Sequence, residues 1–389
     1  MPHIISTLCV CMAMAGLGAA ASDELGAIVQ RGIGEQRYPG AVLMVGRGHR
    51  TLYARAFGRH TYDPDSPAMR MDTIFDMASV SKVAGGTPAL LALMEDGALG
   101  LDDPVSRYLI GFSVKGKEAV TMRDLLTHVS GLKAYESYAV VERGRRPGES
   151  HADALYRHYA ALPLSYVPRT KMVYSCLNLQ TVAAVVQRTS GETLEDILRR
   201  RVWKPLGMRD TTYRPGARQI PRCAPTGIAP DGSPIRGIVH DPLARYHGSE
   251  SLCPGNAGLF STAGDLSRYC RMILDDGVWL GQRIYRPETI RLMTTACTPP
   301  GVKPLRSVGW GVYAEPPHVG PIQTDPARRT IGHTGYTGTW LWLDPMTRTY
   351  IVFLTNRVYP SPAFKGGEGG SIDAIRADIV REVVKRLSR

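Results

Sequence analysis

The sequence predicts an α/β chain of the α+β kind, in which one antiparallel sheet is flanked by helices from the two termini and a mostly helical region is inserted between. Three observations predict it. β-rich runs with hairpin spacing lie near the two ends of the chain, apolar residues through the middle recur at helical spacing, and the first and last segments after residue 22 are amphipathic helices. The boundaries that follow are 22–75 and 251–389 for the sheet region and 76–250 for the helical region, all within one domain overall.

The elements follow in chain order. Residues 4–21 (IISTLCVCMAMAGLGAAA) hold no charged side chain and end in Ala19-Ala20-Ala21 before polar Ser22-Asp23-Glu24, the form of a signal peptide spanning 1–21. Its n-region, Met1-Pro2-His3, is weakly charged, so an uncleaved membrane anchor is the alternative. Cleavage leaves 389 minus 21, or 368, residues in a periplasm or outside the cell. Asp23–Gln36 reads as an amphipathic helix, and Ala41–Val45 and Thr51–Phe57 flank Gly46-Arg47-Gly48-His49-Arg50 as a hairpin. Helical spacing begins at Lys82, with Val83, Leu90, Leu91, Leu93 and Met94, and stops at Gly97. Further helices are expected at Met122–His128, His151–Ala161, Leu177–Thr189 and Leu194–Val202. From Tyr213 to Pro254 periodicity fades into Pro, Gly and Arg, which predicts a long surface connection bordering a site. Strands return at Trp310–Tyr313, Thr330–His333, Gly338–Leu343 and Tyr350–Leu354. Ser371–Leu387 closes the chain as a helix with Ile372, Ile375, Ile379 and Val383 on one face.

Composition excludes several classes. Hydrophobic residues make 43% and charged residues 21% of the 389, enough apolar surface for one large core, so general disorder is excluded. Gly and Pro, 41 and 28, follow no G-X-Y period, which excludes collagen. The net charge of +12 comes from 38 Arg and 9 Lys scattered from Arg31 to Arg389 rather than gathered in a groove with interleaved aromatics, so nucleic acid is not an expected partner. Beyond the signal five cysteines remain (Cys176, Cys223, Cys253, Cys270, Cys297), so at least one thiol is unpaired within the chain. None has metal-ligand spacing with His or Cys, and His151 and His158 read as surface residues, so no metal is expected.

Chemistry concentrates in three places. In Asp76-Met77-Ala78-Ser79-Val80-Ser81-Lys82, Ser79 and Lys82 share one face at the start of a helix, where backbone N–H groups and an ammonium favour loss of a serine proton. Tyr174-Ser175-Cys176 opens a later helix, and His333-Thr334-Gly335 ends a strand before a tight turn. In that order the three resemble the S-x-x-K, Y-x-N and K/H-T-G motifs of the serine β-lactamase and penicillin-binding-protein superfamily, nearest its class C-like and esterase-like branch. Five intervening segments are similar as well: Leu101–Val105, Thr121–Leu132, Pro205–Thr212, Asn256–Leu266 and Leu354–Arg357.

The resemblance implies a β-lactamase/transpeptidase-like fold and a serine hydrolase with no cofactor. Ser79 would be the acyl-enzyme nucleophile, Lys82 its proton acceptor or electrostatic partner, and Tyr174 the general base, a phenol that titrates near ~10 unless a cation stands beside it. The backbone N–H groups of Ser79 and Tyr336 would form the oxyanion hole, and Cys176, His333, Thr334, Gly335, Asn356 and Arg357 would line the substrate site. Two departures stand out. Cys176 replaces the Asn of Y-x-N, and Asn178 lies about 200° round the helix from it. His333 stands where Lys is usual, so attraction for a substrate carboxylate is weaker, unless Arg357 restores it; this tilts the expectation toward esters or D-amino-acid amides over β-lactams. No nucleophile elbow of the G-x-S-x-G type occurs, which leaves Asp76, His128 and Ser130 without a triad role. The expected function is thus a secreted serine hydrolase acting on a β-lactam, ester or D-amino-acid amide, in possible association with the cell wall. The alternatives are a penicillin-binding D,D-carboxypeptidase, or a non-catalytic binding or sensor protein on the same scaffold. The partner is a small molecule or peptide, and the oligomeric state and disulfide pairing stay open.

Overall fold

The computed structural model describes residues 23–248, 252–313, 330–360 and 371–387. The expected signal peptide lies outside them. Both ends of the chain build one six-stranded antiparallel sheet. Its order is Arg50–Gly58, Gly40–Arg47, Thr349–Thr355, Trp340–Asp344, Thr330–Thr334 and Gly311–Tyr313. The closure between the termini is the pairing of Ala41 with Thr355 through Arg47 with Thr349.

Period-2 side chains sort the two faces. Leu43, Val45, Trp340, Trp342, Ile351 and Phe353 face a layer made by the terminal helices Glu24–Gly34 and Asp373–Leu387, where Leu25, Val29, Ile375, Ile379 and Val383 are buried. Val42, Leu341, Leu343, Val352 and Leu354 face the other way, into the main core shared with the helical region. The inner strands are therefore dry on both faces and read as near-continuous apolar runs, whereas the edge strand Arg50–Gly58 is largely exposed.

Helix His151–Ala161 has the boundaries its periodicity predicts, and Cys176–Ser190 extends the expected helix by one residue at each end. The segment from Lys82 is less regular: Lys82–Gly86 forms one wide π-type turn before helix Thr87–Glu95. Several helices escaped the periodicity reading, Pro242–His247 among them. Tyr138–Arg143 and Pro287–Thr294 are short, whereas Ala263–Leu274 is an amphipathic helix, N-capped by Thr262, that packs on the sheet's inner face. The described part of the 213–254 connection is mostly irregular, broken by a turn at Ile220–Arg222 and helix Pro242–His247. All five cysteines of the described residues are free.

Candidate active site

Ser79 sits on a single tight turn, Ala78–Val80, just after a short strand, Phe75–Asp76, that pairs with Phe260–Ser261. Ala78 is held at φ 44°, a left-handed conformation that costs a residue with a Cβ. The buried Asp76 carboxylate stabilises the bend by accepting from the N–H groups of Ala78 at 2.8 Å and His240 at 2.7 Å. Burial pushes Asp76 up to about 6 against these two donors.

Lys82 lies three residues on and is wholly buried. Its Nζ donates to Ser79 Oγ at 3.0 Å and to the Asn256 carbonyl at 2.8 Å, and Cys176 Sγ is 3.7 Å away. The Asn256 carbonyl reaches it because glycines bring two backbones together: a Cβ on Gly86 would lie 2.9 Å from the Gly255 carbonyl oxygen. Burial works against the Lys82 ammonium, but Cys176 and Tyr174 outweigh it and its pKa moves up. Lys82 thus reaches Ser79 Oγ from the buried side of the site, within hydrogen-bond distance of the nucleophile.

Tyr174 precedes helix Cys176–Ser190 in a segment pinned by the Val173 and Cys176 N–H groups, which donate to the His128 and Ala134 carbonyls at 2.9 and 2.8 Å. Its ring has Lys82 Nζ 4.9 Å from the centroid on one side and the Arg306 guanidinium at 5.9 Å, with the His128 and His333 rings at 4.7 and 5.8 Å. The hydroxyl is buried and makes no hydrogen bond of normal geometry, although it lies near enough to favour the Lys82 ammonium. Asn178 takes no part here: its amide donates to His128 Nδ1 at 3.0 Å and accepts from Ser130 Oγ at 2.6 Å, so His128, Ser130 and Asn178 form a polar network behind Tyr174.

The third motif closes the site from the sheet. His333 is on strand Thr330–Thr334, and its Nδ1–H donates to the Thr334 carbonyl at 2.9 Å. Burial, with Arg306 and Lys82 nearby, drives its pKa well below the ordinary value, so the imidazole is neutral. Thr337 Oγ donates to the Asp76 carbonyl at 2.7 Å and Thr339 Oγ to the Met77 carbonyl at 2.9 Å, which ties the turn after His333 to the backbone that carries Ser79. Gly335 fills the gap between them: a Cβ there would stand 2.5 Å from the Met77 carbonyl oxygen.

Ser79, Tyr174, His333, Thr334, Gly335, Tyr336 and Arg357 line one cavity of about 430 Å³, with Lys82 and Cys176 beneath its floor. Tyr336 is half-exposed at the rim, stacked on His240. Asn356 is placed elsewhere: its amide donates to the His60 and Pro225 carbonyls, both at 2.9 Å, and it holds two loops together outside the cavity lining. Five lining residues escaped the sequence reading of the site: Arg306, Tyr313, Gly332, Asp373 and Arg376. Arg306 carries no sequence signal, being one Arg in an irregular stretch. Arg376 carried one, because it stands four residues from Ile372 on the apolar face of the closing helix. It is buried, bonds Asp373 at 3.0 Å and the Thr339 carbonyl at 3.2 Å, and burial lowers its pKa to about 10. With Arg357, three guanidiniums border the cavity, so the neutral His333 is not the whole of its electrostatics.

A family model described as Beta-lactamase matches residues 25–369. Among curated proteins, the chain is 28% identical over 354 residues to a protein of Escherichia coli K12 provisionally named a D-alanyl-D-alanine carboxypeptidase, covering 82% of this chain and 79% of that one. It is 30% identical over 349 residues to a Bacillus subtilis protein named N-acetylmuramyl-L-alanine amidase, covering 82% and 77%. Among solved structures, a class C β-lactamase from Rhodobacter sphaeroides superposes with a TM-score of 0.70 at 20% identity, covering 93% of this chain and all of that one, which shows a shared fold.

Proposed function

Because the chain belongs to the β-lactamase family and is thereby a serine hydrolase, we propose that it works through a Ser79 acyl-enzyme on amide or ester bonds, and that its preferred substrate is a D-amino-acid amide ending in a carboxylate. The observation that carries the first half is the 3.0 Å bond from Lys82 Nζ to Ser79 Oγ, with the same Nζ 4.9 Å from the centre of the Tyr174 ring. With Tyr174 ionised, Ser79 Oγ attacks the substrate carbonyl as its proton passes to the phenolate oxygen. The carbonyl becomes an oxyanion, held by the N–H groups of Ser79 and Tyr336. Collapse breaks the bond to the leaving group, which takes the proton from Tyr174. Water then attacks the acyl carbonyl as its proton passes to the Tyr174 phenolate, and collapse breaks the bond to Ser79 Oγ, which takes that proton back and returns the free enzyme.

Arg357 supports the second half, since it brings to the cavity the positive charge that a terminal carboxylate needs and that His333 lacks, whereas Arg376 beside it is paired with Asp373. The names of the curated relatives support a cell-wall peptide as its source, which fits export to a periplasm or beyond. Cys176 reaches Lys82 but offers no amide to a substrate carbonyl, so acylation runs with one donor fewer than the Y-x-N pattern provides.

Intact-protein mass spectrometry of the native protein and Ser79→Ala, mixed in turn with a fluorophosphonate and a penicillin, tests the nucleophile. Release of D-alanine from a D-alanyl-D-alanine peptide, against p-nitrophenyl acetate turnover, tests the substrate. Ser79-dependent adducts with D-alanine release are expected. Rapid penicillin turnover without peptide cleavage would favour a β-lactam substrate, and a folded protein with neither adduct nor turnover would return the chain to a binding role.

A further inference from the structure

The charged and titratable groups facing Tyr174 come from four directions. Lys82 approaches from the nucleophile turn and Arg306 from the segment before the sheet's edge, while His128 and His333 flank the ring and Cys176 lies two residues along the chain. Further out, Asp241 acts on Lys82 and Tyr313 on Arg306. Burial keeps both histidines neutral, so neither brings charge to the ring. Lys82 divides its hydrogen bonds between Ser79 and the Asn256 carbonyl. Arg306 is the second fixed cation. It is buried, its Nη2 donates to the Gly309 carbonyl at 2.8 Å, its Nε has no hydrogen-bond partner, and among the described residues it forms no ion pair. A buried guanidinium without a carboxylate is costly unless a negative charge forms beside it.

We propose that Arg306 is a positioning residue for the base: its guanidinium, beside the Tyr174 ring, stabilises the ionised phenol and supplies the positive charge that a lysine in place of His333 would otherwise provide. This rests on Tyr174 being the base. Arg306 thereby acts on every substrate, charged or neutral, and its effect is separable from any contact with a substrate carboxylate.

The test is the pH profile of kcat/KM for p-nitrophenyl acetate, a neutral ester, in the native protein, Arg306→Gln, Arg306→Lys and Tyr174→Phe. Loss of a unit charge about 6 Å away at an effective dielectric of about 20 moves the acid limb up by about one to two pH units in Arg306→Gln. Arg306→Lys keeps it within about half a unit. Should Arg306→Gln fold poorly, citrulline at position 306 carries the same test, because it keeps the shape and the bond to Gly309 and removes only the charge. An unmoved limb, with loss confined to carboxylate-bearing peptides, would overturn the proposal and make Arg306 a substrate-binding residue. An unmoved limb with no loss on any substrate overturns it outright. Full activity in Tyr174→Phe would instead bring down the assignment of the base.

Discussion

The sheet and the seam where it meets the helical region are built from opposite materials. In the sheet, backbone groups pair along regular ladders and both faces are packed with Leu, Ile, Val, Phe and Trp. In the seam, His128 Nε2, Tyr174 OH, Arg306 Nε and His333 Nε2 are all buried without partners, Ala78 is held in a left-handed conformation, and two cations share a small space. A structure optimised for stability alone would remove each of these. The difference teaches that the sheet is the rigid body against which an unsatisfied set of groups is held ready for a substrate to complete.

That contrast can be broken at either side. The largest effect is expected from Ser79→Ala, which should lower acyl transfer by roughly 10³-fold or more with the urea midpoint unmoved; a residual rate close to native, measured on p-nitrophenyl acetate, would remove the seam's chemical role. Next is Gly335→Ala. Its Cβ would press on the Met77 carbonyl and part the turn from the Ser79 backbone, so a loss of roughly 10²–10³ in kcat is expected from a distorted oxyanion hole. The converse change belongs to the sheet: Phe353→Ala, which removes an edge-to-face partner of Tyr38 at 5.7 Å, should cost about 3–5 kcal/mol in urea unfolding while the folded fraction keeps its kcat.

The smallest effect sharpens the comparison through pH. His60 is depressed to about 4 and His247 to about 3 by burial, and His128 and His333 fall well below the ordinary value. Groups whose folded pKa is lowered bind protons only in the unfolded chain as pH falls from about 6.5 toward 4, so stability is full above that window and declines through it. Each contributes a slope of up to about 1.4 kcal/mol per pH unit. Asp76, raised to about 6, works in the opposite direction over about pH 4 to 6, since its contribution is present at low pH and lost as pH rises. His240, also lowered by burial, joins the four histidines, and Asp265, also raised by burial, joins Asp76; the more numerous histidines leave a net loss on acidification, readable as falling urea midpoints. A flat profile would mean that the seam's histidines are not buried neutral.

Much of this was legible in the chain. The strands at Gly40–Arg47 and Thr349–Thr355 and helix His151–Ala161 follow from local apolar periodicity and β-branched runs, which act over a few residues. Helix Ala263–Leu274 was harder, because Gly264 and a run of polar residues mask its apolar face. In the site, Ser79, Lys82, Tyr174 and His333-Thr334-Gly335 were found because each lies in a short motif. Asn356 stood beside Arg357 in the sequence, yet only Arg357 lines the cavity, because the bonds of Asn356 to the His60 and Pro225 carbonyls join segments remote in the chain.

What the sequence alone determined, then, is the α+β class, the course of the main elements and the motifs of an acyl-transfer site, all of which depend on spacing within a few turns of chain. Only the tertiary structure decided that Lys82 is buried against Ser79, Cys176 and the Asn256 carbonyl, that burial drives His333 well below its ordinary pKa, and that Arg306 and Arg376 border the cavity. Charge state in a buried site depends on solvent exclusion and on neighbours more than a hundred residues away along the chain, such as Arg306 facing Tyr174 and Asn256 facing Lys82.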